Sequence, residues 1–523
     1  MIPVRPMTTQ ASNPPPVYIP SRSRRSAAGR RLDHNFLLLT RVMAVLLAGY
    51  LMFDRAFAWI HVPGTPIFVG EIALVFGLWV VIQTPHLGRF IRASRPIQLL
   101  LLFMVWGFAL AFEGYGKWGI DAIRDSALWY YGVFALISGV LLLFKPELWD
   151  QAVDRLTRFI PYFFILMIVR LALAQTSIGP RIPDSRTRIT AHKTANIAVG
   201  VAIALAFLIL VVGPSASKAL RRRATGVTLL GLLLVLGAGT QSRAGFLAAF
   251  LILTVVFVMA RHARGVMVGV VIVAVLLGIL AAALEVKFQL DRRELSVEQV
   301  VENIQSVTDE ATSGTRFDNT TQWRLNLWGL VVNDVFREER ILTGFGFGEN
   351  VALRYDSVDT RNSIPLRNPH NSHLSVLARM GIVGSALWIA MFASWFINMI
   401  QARRQFRELG DEHRANLAFW LMLSMAALLT NAFFDPTLEG PQVGIVVWTL
   451  FGAGAVLGLG ARSVGHRRRR GRRRGQSDFD WLLLQEGPPV SPAHPSIPLS
   501  EDLQQVVEGF DELLSEEGDE SEG

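Results

Sequence analysis

Apolar residues run through this chain in blocks about as long as a bilayer is thick, separated by mostly short polar connections. Residues 197–213 and 266–284 are two of the clearest, and about 20 residues in helical form cross the hydrocarbon core. Such blocks recur at about 36–53, 65–82, 97–113, 127–144, 159–175, 195–213, 225–240, 246–260, 266–284, 373–398, 416–434 and 443–460. The pattern predicts an all-α polytopic integral membrane protein with about 12 transmembrane helices, because backbone polar groups in lipid must be satisfied within the spanning structure. The pair 225–240 and 246–260 is short and nearly continuous, so these are the weakest two of the set. The first block is too long for the core of a signal peptide, and no small-residue cleavage site follows it.

The polar intervals divide the chain. Residues 1–34, rich in Pro, Ser and Arg, are expected to form a disordered cytoplasmic arm. Residues 35–284 carry spans one to nine, 285–372 one large extracytoplasmic loop, 373–460 the last three spans, and 461–523 a cytoplasmic tail, basic and then acidic. The large loop holds 14 acidic and 10 basic residues and two amphipathic stretches. Val297, Val300, Val301, Ile304 and Val307 recur at helical spacing in the first, and Arg324, Trp328, Val331 and Val335 share one face in the second. In the tail, Leu503, Val506, Val507, Phe510, Leu513 and Leu514 form an apolar stripe that suits either a docking segment for a cytoplasmic partner or a loose amphipathic helix.

Basic residues orient the spans. With the N-terminus inside, the inner connections hold Arg89, Arg92 and Arg95; Lys218 and Arg221 to Arg223; Arg261 and Arg264; and Arg403, Arg404 and Arg407. Twelve spans leave both termini in the cytoplasm, with the Arg run 467–474 beside the inner leaflet, where it suits anionic membrane lipids. One outer connection breaks the rule: residues 176–194 carry Arg181, Arg186, Arg188 and Lys193 against a single Asp184. This is either scatter in loop charge or an anion-attracting surface.

Composition agrees with a membrane chain. Half of the residues (51%) are hydrophobic, only 18% are charged against about 25% in soluble domains, and mean hydropathy is +0.37. Cysteine is absent, which removes disulfides, thiolate metal sites and thiol nucleophiles. The net charge of +9 is segregated at the termini and connections, so it reports orientation rather than nucleic-acid binding.

Three places hold candidate chemistry, all on the outer side. Arg243, in Gln241-Ser242-Arg243-Ala244-Gly245, lies at a tight junction between spans; an Arg so close to hydrocarbon either snorkels, pairs with a carboxylate or holds an anion. Arg324 lies on the apolar face with Trp328, where its stem could pack on the indole or its head could turn toward the bundle. His370, in Asn368-Pro369-His370-Asn371-Ser372-His373, opens span ten. On a continuous helix Gly381 and Gly384 would share its face, with Gly381 about 16 Å below it, and would let that face pack closely. The bland alternative for His370 is a polar helix cap. His370 and His373 lack a third ligand or a His–Glu zinc signature, so no metal is expected. Gly344-Phe345-Gly346-Phe347-Gly348 has no preceding strand and is expected to be a flexible turn rather than a nucleotide loop. No cofactor is expected.

These residues resemble a known family. His370-Asn371, nine residues, Gly381, two residues and Gly384 is similar to the His-Asn/Ser/Gln-x9-Gly-x-x-Gly signature of O-antigen ligases and the related O-antigen polymerases. Arg243 with Leu247 is similar to their Arg-x-x-x-Leu element, and the Arg324 stretch followed by Gly344-Phe345-Gly346 to their large periplasmic segment. The resemblance covers roughly residues 195–400. Ser385, after the second glycine, departs from the Asn, Thr or Val more common in ligases, which blurs ligase against polymerase.

The resemblance implies a metal-independent inverting glycosyltransferase in a bacterial plasma membrane. Such an enzyme moves a glycan from undecaprenyl diphosphate to a hydroxyl of a glycan or lipid acceptor on the extracytoplasmic face. Arg243 and Arg324 would hold the diphosphate, with Asn371 and Trp328 in the substrate site, and His370 would deprotonate the acceptor or orient a phosphate oxygen. A transporter or flippase of the same lipid-linked oligosaccharide is the alternative. It calls for polar groups in mid-span, where only Glu71 and Arg170 stand out. A scaffold built on the two tails would leave His370 and the arginines without a role.

Overall fold

The computed structural model describes residues 27–65, 67–174, 180–181, 188, 192–215, 218–239, 242–260, 264–265, 268–269, 272, 288–290, 293–295, 318–337, 340–355, 358–359, 364–365 and 367–469. Among these, eight helices are long and apolar enough to cross a membrane, or nine if the pair Val69–Ile82 and Pro85–Ala93, bent by 93°, is one span. The chain is an all-α multi-pass membrane protein. The expected blocks at 225–240 and 246–260 fall in the helices Lys218–Gly239 and Arg243–Met259, whose apolar parts are shorter than a full span. The block at 266–284, the stretch Val297 to Val307 and the tail beyond 469 lie almost wholly outside the described residues. The first helix, Ala27–Phe53, begins within the expected arm.

Burial sorts the spans into an inner and an outer set. Ile120–Phe144, Thr194–Val212, Glu412–Phe434 and Pro441–Arg462 are 72–83% buried over their most apolar windows, whereas Arg31–Phe53, Arg95–Trp118 and Leu148–Leu173 are 28–33% buried. The outer helices leave Leu102, Val105, Phe108, Phe112 and Tyr162 exposed, as lipid-facing positions require. At the core, Ser372–Glu408 packs against Glu412–Phe434, Pro441–Arg469 and Arg95–Trp118, and Thr194–Phe207 packs against Glu412–Phe434 and Arg243–Met259.

The acid inside a span is satisfied. Glu71, in the first turn of Val69–Ile82, accepts hydrogen bonds from the Tyr131 and Tyr130 hydroxyls (2.7 and 3.1 Å) and from the Phe68 amide (3.2 Å). It joins two helices rather than lining a path.

Gly381 departs most from expectation. The helix Ser372–Glu408 is broken there: Gly381 has φ 63° and ψ −161°, a region that only glycine occupies readily. The break frees backbone groups about 14 Å down the helix, at 1.5 Å per residue, and the loop 341–348 enters to satisfy them. The Ile382 amide donates to the Ile341 carbonyl (2.8 Å) and the Phe345 amide to the Ala378 carbonyl (2.6 Å). The Trp106 indole donates to the Met380 carbonyl (3.0 Å) and the Ser385 hydroxyl to the Gly381 carbonyl (2.9 Å). A Cβ on Gly381 would lie 2.4 Å from the Leu342 carbonyl carbon and oxygen, and one on Gly344 would lie 2.4 Å from the Ala378 oxygen. The glycines therefore bring two backbones into contact at a kink instead of smoothing one face of a continuous helix, and 344–348 is a docked loop instead of a flexible turn.

A buried ionic knot fixes the same loop. Asp125 binds Arg379 (3.0 Å), Arg367 (3.0 Å) and the Gly348 amide (3.1 Å). Arg379 is 1% exposed and also donates to the carbonyls of Gly346, Glu349 and Arg367. The carboxylate is thereby compensated by more than one cation, as burial of charge demands.

Candidate active site

The helix Asp318–Arg337 lies across one end of the bundle, and its amphipathic spacing explains why. Leu327, Val331 and Val335 are buried against Phe345, Val351 and Ala378, with Trp323, Leu374 and Leu377 packed at the edge. The same face carries Arg324 and Trp328 inward. Arg324 Nη1 donates to the Phe434 carbonyl (3.2 Å) and Trp328 Nε1 to the Pro369 carbonyl (2.7 Å).

Pro369 immediately precedes His370. The histidine stands outside the helix with a positive φ of 54°, and its amide donates to the Asn368 side chain (3.2 Å). The capping role falls to Asn371, whose Oδ1 accepts from the His373 and Leu374 amides (3.0 and 3.1 Å) and so satisfies the first turn. The His370 ring is freed from that duty. It meets the edge of Trp323 (centroids 6.3 Å apart) and is 25% exposed. His373 turns away: the Trp388 indole donates to its Nδ1 (3.0 Å), so Nε2 carries the proton and donates to the Leu429 carbonyl (3.0 Å). With both its nitrogens engaged, His373 does not converge with His370. Among the described residues no three His, Asp or Glu side chains come together as metal ligands.

Two residues complete the cluster. Asp435 Oδ1 lies 3.9 Å from His370 Nδ1, and Asp435 Oδ2 lies 2.5 Å from Lys193 Nζ. Arg324, Trp328, His370, Asn371, Asp435 and Lys193 are thus gathered where Glu412–Phe434 ends and where Ser372–Glu408 and Thr194–Phe207 begin. Arg243 opens its helix behind Ser242, whose hydroxyl accepts from the Gly245 amide (3.3 Å). Gly245 abuts the Ala195 backbone, so this helix starts beside the Lys193 turn; the side chain of Arg243 lies outside the described residues.

Residues 227–389 match the family model described as O-antigen ligase. This segment is similar to the O-antigen ligase family. The O-antigen ligase match takes in Arg243, Arg324, His370, Asn371, Gly381 and Gly384 and stops short of Asp435. It points to a membrane glycan ligase or polymerase. No curated protein matches the chain.

Asp435 and Lys193 were not singled out by sequence reasoning. Asp435 sits in the short hairpin Phe434-Asp435-Pro436 between two spans, and an acid in so short a connection at the histidine's end of the bundle was the available signal. Lys193 was visible only as one of the basic residues of its loop.

Behind the cluster, Glu439 Oε2 accepts from the Asn368 amide nitrogen (3.0 Å), the same side chain that holds the His370 backbone. Burial pushes the Glu439 carboxyl up from 4.5 to about 7, against the attraction of Arg379. A folded value above the unfolded one means that the folded state holds the proton more tightly. The associated stability is present below about pH 4.5 and is lost as pH rises through 7. Two and a half pH units correspond to about 3 kcal/mol. Glu439→Gln, which stays neutral, is therefore expected to melt like wild type at pH 5 and at a higher temperature than wild type at pH 8. Thermal unfolding in detergent at the two pH values checks this, and parallel pH dependence in both proteins would contradict it.

Proposed function

We propose that the chain transfers a glycan from a lipid-linked diphosphate donor to an acceptor hydroxyl on the extracytoplasmic face, as an O-antigen ligase or a related polymerase. The observation that carries this reading is the convergence of Arg324 and Lys193 with His370 and Asp435 at one end of the bundle, within and beside the family segment. The reaction fits these groups. The acceptor oxygen attacks the anomeric carbon, the bond to the diphosphate oxygen breaks with its electron pair, and configuration inverts. His370 takes the acceptor proton. Asp435 stabilises the imidazolium and, by like-charge repulsion, disfavours a phosphate on that side of the ring, which supports the base role over that of a phosphate ligand.

Arg324 and Arg243 neutralise the departing diphosphate. Guanidinium forks match phosphate oxygens, and fixed cations in a poorly hydrated site need no reorganisation during the reaction. The energy resides in the donor's phosphoester bond to the sugar, so no nucleotide is required. The flippase alternative gains no support from the two charged residues it would use: Glu71 is held by tyrosines, and Arg170 reaches the Phe53 carbonyl (3.4 Å) near the end of its span.

The test is a transfer assay with the full chain in proteoliposomes, undecaprenyl-diphosphate oligosaccharide as donor, and chelator present. Wild type is expected to form product and Arg324→Ala to lose about a hundredfold to a thousandfold in rate. Product length separates single attachment from chain growth. Protein-dependent movement of the donor across the bilayer without product would replace this reading with transport.

A further inference from the structure

Two non-glycine residues among the described ones have positive φ, Asp54 at 47° and His370 at 54°. They stand at opposite ends of one polar chain. Asp54 is 2% exposed and follows the helix Ala27–Phe53 with ψ −116°, a backbone geometry that favours glycine; a carboxylate kept there against that preference calls for an explanation. Its Oδ2 accepts from the Lys193 amide (3.1 Å) and its Oδ1 from the Asn196 side chain (3.2 Å). Lys193 is the residue from which the helix Thr194–Phe207 starts, and it has no side-chain cap of its own. Asp54 supplies the cap from another span and places a negative charge at the positive end of the helix. Asn196 Oδ1 in turn accepts from Asn431, one turn before Asp435 (3.3 Å). The Lys193 stem then carries its ammonium to Asp435, which faces His370.

We propose that Asp54 is a positioning residue for the transfer reaction: by fixing the turn that bears Lys193, it holds the Lys193 ammonium on Asp435, and through Asp435 it holds the His370 imidazole in place. This rests on the reading of the site given above. Among the described residues, Arg170, Arg55 and His192 also lie in this charged pocket, His192 Nε2 3.9 Å from Asp54 Oδ2. Burial pulls the His192 imidazole below its ordinary value despite the carboxylate. The cation that Asp54 places at the site is Lys193. Arg170, attracted by the Asp54 carboxylate, packs on the Phe53 ring and reaches the Phe53 carbonyl.

The experiment compares wild type, Asp54→Gly, Lys193→Met and the double variant in the same proteoliposome assay, with kcat and KM for the donor measured separately. Glycine keeps the backbone geometry at position 54, so the variant removes the carboxylate without forcing the turn. Lys193→Met removes the ammonium at a side chain that is 28% exposed and easily accommodated. Each single variant is expected to lower kcat about tenfold to a hundredfold with KM changed less than threefold, and the double variant to be no slower than Lys193→Met alone. A purely structural role would instead lower the amount of folded protein and leave kcat per folded molecule unchanged. That result, or multiplicative effects in the double variant, would overturn the proposal while leaving the reaction standing. Absence of transfer by wild type would overturn the reaction and the positioning role together.

Discussion

Replacing His370 by Asn is expected to lower the transfer rate by about a hundredfold to ten-thousandfold, the range over which a positioned general base acts, while the protein folds and inserts normally. Asparagine is the informative choice because position 370 has a positive φ, which Asn tolerates better than most residues, so the imidazole is removed and the backbone is kept. His370→Ala adds backbone strain of about 1–2 kcal/mol and should be equally slow but somewhat less stable. The ring bridges two parts of the site: its edge contact with Trp323 comes from the helix across the bundle end, and Asp435 approaches from the hairpin between the last two described spans. Loss of rate with unchanged thermal stability in the Asn variant is the expected pattern. A His370→Asn protein transferring at close to the wild-type rate would remove the histidine from the mechanism.

The second large effect lies away from the chemistry. Gly381→Ala places a Cβ 2.4 Å from backbone atoms of Leu342 at a residue whose φ is 63°. The conformational cost for a non-glycine residue there is about 1–3 kcal/mol. The clash adds to it, since the obstacle is backbone rather than the end of a flexible side chain. The loop 341–348 should leave its seat, exposing the freed Ala378 carbonyl and Ile382 amide and loosening the Arg324 helix that packs on Phe345. A fall in melting temperature of several degrees, new protease cleavage within 337–348 and loss of transfer are expected together. Gly329→Ala is the control: nothing lies within 4 Å of a Cβ at that exposed position of Asp318–Arg337, and alanine is the better helix former. If Gly381→Ala behaved like this control, the interlocking of loop and helix would not matter to the fold.

These two positions also mark how far the chain could be read without coordinates. Arg324, Trp328, Val331 and Val335 were legible as one face because helical spacing is local, and the structure seats that face against the bundle. The eight long apolar helices among the described residues were legible because runs of apolar residues are local too. The site's anchors were not: Asp54 meets Lys193 across 139 residues and Lys193 meets Asp435 across 242, and no periodicity reports such pairings. Gly381 was misread because projecting residues onto one face presumes an unbroken helix; the glycine's own backbone freedom removes that premise. The cap that the bland alternative assigned to His370 is made by Asn371, the residue after it.

The interlock of the Gly381 break, the 341–348 loop and Asp125 has a consequence for how the molecule is made. Asp54 and Asp125 leave the ribosome early, whereas Arg379 and Asp435 emerge after most of the spans have been inserted. Until then Asp125 lacks the guanidinium of Arg379, Lys193 lacks its acceptor on Asp435, and His370 has no carboxylate beside it. These pairs can therefore close only once both halves of the chain have been made.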